Sequence, residues 1–123
     1  MGSARLRGKS LIPVAGITLL TRVINMVKEL KKIDDIIVAT TDLPEDDPIV
    51  AISKSLDVKT FRGASLNVME RFYDASMDLK EADTIVRFTA DNPFNNKAIT
   101  IELLQKHIEH KNDYTYIDGL SHI

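Results

Sequence analysis

Two kinds of apolar spacing alternate along this chain, and the alternation restricts its fold more than any other feature. Leu19, Leu20, Val23, Ile24, Val27 and Leu30 recur at helical spacing, with Thr18 placed to cap them. Ile36, Ile37, Val38 and Ala39 then form a short run that ends in Thr40, Thr41 and Asp42. A run that is apolar at successive positions and rich in β-branched residues predicts a strand buried on both faces. Pro48, at a first helical position after Asp47, predicts a helix to about Leu56. Val58 to Phe61 reads as a second strand. Asn67 stands as the cap of a helix carrying Val68, Met69, Phe72, Tyr73, Ala75, Ser76 and Leu79. Thr84 to Phe88 reads as a third strand. Asn96 opens a helix with Ile99, Leu103, Leu104 and Ile108 on its inner face, and Tyr114 to Ile117 starts a further strand. Strands that alternate with helices predict an α/β fold, a parallel sheet with helices on both faces.

Bulk properties narrow the function. At 123 residues one domain over residues 1–123 is expected. A net charge of −2 gives no global field to draw in nucleic acid or an anionic membrane, so neither is an expected partner. Any phosphate binding must come from a local cationic cluster. The absence of cysteine excludes a disulfide framework and a cysteine nucleophile, and fits a cytoplasmic protein. No apolar run approaches the ~20 residues of a membrane-spanning helix. The chain opens on a loop-like basic segment and a helix, and closes just after an incipient strand. It therefore reads as part of a longer protein.

Ligands of open α/β sheets bind beyond the carboxyl ends of the strands. Three segments lie there or lead directly into a helix. Met1 to Lys9 joins Gly2, Ser3 and Gly8 with Arg5, Arg7 and Lys9. Glycines let a backbone wrap an anion, and these cations suit a polyphosphate. A frayed basic terminus has the same composition. Thr40, Thr41 and Asp42 end a strand, where their polar groups suit a ribose or base, or simply cap the turn before Pro44. Glu45, Asp46 and Asp47 read as helix N-terminal charge facing the dipole. Arg87, Thr89 and Asp91 end the third strand; a carboxylate there suits Mg²⁺ held jointly with phosphates, or caps the turn before Pro93. Arg62 and Arg71 flank Asn67 and are placed to reach a base or phosphate, although Arg71 suits a solvated helix face equally well. His107, His110 and His122 do not form a metal cluster.

Taken in order, these segments resemble a family. MGSARLRGKSLIPVAG is similar to the opening loop of cytidylyltransferases that activate acidic sugars, with its usual form GSTRLPGK. The blocks IIVATTDLPEDDPI, VKTFRGASLNVMERFYDA and TIVRFTADNPF follow in the family's order. The likeness runs from Met1 to about Tyr116 and is nearest the spore-coat polysaccharide F-type, acylneuraminate and 3-deoxy-octulosonate enzymes. It implies a three-layer, Rossmann-like nucleotidyltransferase domain with a mainly parallel sheet, lacking the first strand and the C-terminal part.

The resemblance also implies a reaction: transfer of CMP from CTP to a sugar hydroxyl with loss of pyrophosphate, with Mg²⁺ as cofactor. Gly2, Ser3, Arg5 and Lys9 would hold the triphosphate, with Arg5 and Lys9 catalytic. Arg62, Asn67, Arg71 and Arg87 would lie near the nucleotide. Thr40, Thr41 and Asp42 would line its pocket, and Asp91 would bind the metal. The family's sugar-binding residues, a second metal carboxylate and a dimerising segment lie past this C-terminus, so a homodimer is an expected assembly of the whole. Departures are Arg7 for proline, Ala90 for glycine, and Asn67 for a common aspartate. A truncated homologue that binds nucleotide or a protein partner without turnover is the alternative reading.

Overall fold

The computed structural model describes residues 8–81 and 83–117. A 3-10 turn at Lys9–Leu11 leads into a two-residue hairpin of β1 (Pro13–Val14) and β2 (Ile17–Thr18). Ala15 at φ 50 and Gly16 at φ 77 turn it, the left-handed pair that matches the twist of such a short loop. The basic opening segment expected to be loop-like lies mostly outside the described residues, and the hairpin follows it. Arg22 reinforces it by donating to the Val14 carbonyl.

Helix α1 (Leu19–Lys28) begins where expected, with Thr18 Oγ1 accepting from the Thr21 N–H at 3.2 Å. Strand β3 (Ile37–Thr41), helix α2 (Asp47–Ser55) and strand β4 (Lys59–Gly63) then form a β–α–β unit. β3 and β4 are parallel, with Thr40 opposite Arg62 and Thr41 opposite Gly63. Helix α3 (Val68–Ala75) follows β4, and α4 (Lys97–His110) comes last. The α/β class and the parallel sheet agree with the sequence pattern.

Leu20 and Ile24 of α1, Ile49 of α2 and Val58 form the core, and Val38, Ile52 and Ala90 pack against it. Side chains alternate across a strand. Val38 therefore points to the α1–α2 side, and Phe61 and Gly63 to the other. That second face meets α3: a Cβ built on Gly63 would lie 3.5 Å from Arg71 Cγ and 2.7 Å from the Phe61 ring. The layers run α1–α2, sheet, α3. Glycine at 63 leaves the Phe61 ring its place.

Three expectations are corrected. Residues 84–88 are irregular and form no ladder with another strand among the described residues. Val86, Phe88 and Ala90 are half-buried while Ile85, Arg87 and Thr89 are exposed. The alternation of a strand is present, and the hydrogen-bonding neighbour is not. Residues 114–117 are likewise unpaired; the Tyr114 and Tyr116 rings lie 5.8 Å apart, and His107 Nδ1 lies 2.9 Å from Thr115 Oγ1. Finally, β3 is not buried along its apolar part. Ile37 is exposed and Val38 and Ala39 half-buried, whereas Thr40 and Thr41 are the buried pair. With one paired neighbour among the described residues, the aliphatic half of β3 has little cover.

Candidate nucleotide site

Because β3 and β4 are parallel, their carboxyl ends share one edge of the sheet. The loops 42–46 and 64–67 leave from that edge, and Asp91 follows the irregular segment 84–90. Gly2, Ser3, Arg5 and Arg7 lie outside the described residues. Gly8, at φ 70, turns the chain into the 3-10 helix, and Lys9 follows. Lys9 Nζ lies 4.0 Å from Asp91 Oδ2, with the two side chains 36% and 43% exposed. Residues 82 positions apart in sequence therefore meet as an open ion pair that a solute can reach.

The threonines at the end of β3 face elsewhere than expected. Thr40 and Thr41 are 5% and 4% exposed, and their hydroxyls donate to Asp46 Oδ2 at 2.7 and 2.6 Å. The Thr41 N–H donates to the same oxygen at 3.0 Å. Both hydroxyl protons serve Asp46, which corrects the expectation of hydroxyls offered to a ribose. Asp46 is the N-cap residue of α2, at the helix start where the acidic run is expected, and it is 1% exposed. Burial alone would raise its pKa. The donors from Thr41 and Thr40 outweigh that and hold the carboxyl below its ordinary value.

Arg62 also turns back onto the protein. Its Nε donates to Thr41 O at 2.9 Å, and its two terminal nitrogens donate to Leu43 O and Asp47 Oδ1, each at 2.7 Å. It straps the 41–47 turn rather than standing free. Asp42 is exposed beside it and carries the ladder one step further, its N–H donating to Gly63 O at 3.2 Å.

On the α3 side, Asn67 Oδ1 accepts from the Glu70 N–H at 3.1 Å, the cap that its position predicts. Asn67→Ala is expected to cost about 1 kcal/mol of stability. Its effect on nucleotide affinity should follow only from helix fraying; chemical denaturation beside a binding isotherm separates the two. Arg71 donates to Ala64 O at 2.6 Å, while its Nε is buried without a hydrogen-bond partner. Arg87 lies over the Phe72 ring, 4.9 Å from its centroid, a cation–π contact that ties segment 84–90 to α3.

The described residues hold no group of three or more potential metal-binding His or acidic side chains. The expected approach of Lys9 to Asp91 is present, and the burial of Asp46 is not predicted by the sequence pattern. The signal available was a pair of threonines followed five residues later by an aspartate across a proline-containing turn, but burial of that carboxylate is a tertiary fact.

Known proteins resemble this chain over most of its length. The cytidylyltransferase family model matches residues 1–121. An uncharacterized protein of Methanocaldococcus jannaschii is 42% identical over 118 residues, covering 94% of this chain and 46% of that protein. The spore coat polysaccharide biosynthesis protein SpsF of Bacillus subtilis is 34% identical over 121 residues, covering 95% of this chain and 50% of that protein. The solved structure of a cytidylyltransferase from Leptospira borgpetersenii superposes with a TM-score of 0.81 at 30% identity, over 91% of this chain and 47% of that one. The chain thus spans about half the length of the curated relatives it matches. No described helix is long and apolar enough to cross a membrane. A match over nearly the whole chain, on the α/β scaffold described above, establishes that this chain belongs to the cytidylyltransferase family.

Proposed function

We propose that the protein transfers CMP from CTP to a sugar hydroxyl, releasing pyrophosphate, in the synthesis of a polysaccharide or surface glycan. The carrying observation is the open Lys9–Asp91 pair, 4.0 Å apart and accessible to a solute. The sugar hydroxyl releases its proton to solvent as its oxygen bonds to the α-phosphorus, and the bond from that phosphorus to the oxygen bridging the α- and β-phosphates breaks, so that pyrophosphate leaves. The protein's part is positioning and charge neutralisation. Lys9, with Arg5, holds the β- and γ-phosphates and balances the charge of the leaving pyrophosphate.

Asp91 is a single accessible carboxylate. That donor set fits magnesium bound jointly with substrate phosphates, since magnesium keeps most of its waters and takes one or two protein carboxylates. It does not fit an ion held by protein alone. Magnesium, when bound, would draw charge from the α-phosphate. Gly2 and Ser3 would add backbone and hydroxyl donors to the phosphates, while Asp42, Arg71 and Arg87 would border the nucleoside.

Titration calorimetry with CTP in the presence of magnesium tests the reading. CTP is expected to bind more tightly than ATP or GTP, and to lose affinity when magnesium is chelated. Equal affinity for all three nucleotides, or none for CTP, would sink it.

A further inference from the structure

Asp46 has no part in the chemistry proposed above, yet it is a buried carboxylate at 1% exposure beside the carboxyl edge of the sheet. Its effect concentrates on one residue. Thr41 gives both its N–H and its hydroxyl to Asp46, and its carbonyl to Arg62. The polar groups of Thr41 are thereby held from both sides. The hold extends along the turn: the Leu43 N–H donates to Thr41 Oγ1 at 3.4 Å, Leu43 O accepts from Arg62, and the Asp46 N–H closes on Leu43 O at 3.0 Å. Asp42 sits between Thr41 and Leu43, exposed, with its N–H fixed on Gly63 O.

Charge decides which end of a nucleotide this turn can meet. Asp42, Glu45 and Asp47 are exposed on or beside it, and Arg62 is already bonded to Asp47. Such a rim repels a triphosphate and suits a donor-rich partner: ribose hydroxyls or the exocyclic amine of cytosine. The triphosphate belongs at Lys9. We propose that Asp46 is a positioning residue for the nucleoside end of the ligand, acting through Thr41 to fix the acidic 42–45 turn against ribose and base. This rests on the reading that CTP binds at the site. The carboxylate does not touch the ligand; it holds the surface that does.

The test compares CTP with inorganic tripolyphosphate, both with magnesium, on the wild-type chain and on Asp46→Asn. The amide keeps the shape and one acceptor but loses the charge and presents an N–H₂ to donors. CTP affinity is expected to fall about tenfold while tripolyphosphate affinity stays within twofold, at a temperature where circular dichroism shows both proteins folded. Equal losses for both ligands, or none for either, would overturn the proposal and leave CTP binding itself standing. Failure of the wild type to bind CTP would overturn both. Should Asp46→Asn not fold, Thr40→Val removes one hydroxyl donor to Asp46 and carries the same comparison, with an expected loss of about threefold for CTP alone.

Discussion

Asp46→Ala is expected to lower stability by about 3 kcal/mol, a large part of the 5–15 kcal/mol typical of a domain. The truncation leaves the Thr40 hydroxyl, the Thr41 hydroxyl and the Thr41 N–H buried without their acceptor. Each such group costs about 1–3 kcal/mol. Removing a desolvated charge offsets part of the sum. A fall in melting temperature of roughly 10 °C should follow. The effect depends on pH with a definite sign. The folded-state pKa of Asp46 lies below its ordinary value of 3.8, so the folded protein releases this proton more readily than the unfolded chain. The stabilisation is complete above the unfolded value and is lost as the pH falls through the folded one. Urea denaturation at pH 7 should therefore show the full gap between wild type and variant, and below pH 3.8 the gap should narrow. A gap that is unchanged in acid would mean that the charge is not what stabilises.

Lys9→Ala and Asp91→Ala are expected to act in opposite directions on magnesium and alike on CTP. In the free protein each neutralises the other at 4.0 Å. A half-exposed pair of this kind contributes at most about 1 kcal/mol, so neither variant should unfold the chain. Without nucleotide, Lys9 repels any cation approaching Asp91. Its removal should strengthen the weak binding of magnesium alone by about fivefold, corresponding to roughly 1 kcal/mol at this separation in water. A magnesium–triphosphate complex reverses the balance: phosphate draws Lys9 and the metal draws Asp91. Lys9→Ala should then weaken CTP–magnesium binding by about tenfold or more, the scale of one charge-assisted contact. Asp91→Ala should remove the gain that magnesium gives to CTP. Calorimetric titrations of each variant with magnesium, and with CTP with and without it, provide the readout. Lys9→Ala weakening both ligands would show that the pair is not the hinge of the site.

What could be read from the sequence was local. Thr18, Asn67 and Asn96 cap α1, α3 and α4 because a cap requires only a side-chain acceptor and an N–H three residues on. The core faces of Leu20 and Ile24 follow from helical spacing. The meeting of Lys9 with Asp91 was legible only through the order of the family's blocks, since no local rule joins such distant residues. The remainder depended on partners. Residues 84–88 have a strand's composition and a strand's alternation, but a strand also requires a neighbour. Thr40, Thr41 and Arg62 have groups that bind nucleotides equally well in water, and only the folded turn shows them bonded to Asp46, Leu43 and Asp47. The acidic run lies at a helix start as its charge predicts, but the burial of Asp46 is not legible locally, because the threonines that make it tolerable lie across a turn.

Helix α3 buries none of its residues; Leu66 just before it is 99% exposed, and Met69 is 78% exposed. It meets the sheet through the stem of Arg71 and the loop after β4 through the bond from Arg71 to Ala64 O, while the Phe72–Arg87 contact ties it to segment 84–90. An element with so little burial opens at a fraction of the free energy that opens the core. Hydrogen exchange should therefore be fastest there, ahead of α1. A nucleotide that gripped Arg71 would quench this fraying, and its affinity would fall short of what its contacts suggest by the entropy of stilling one helix.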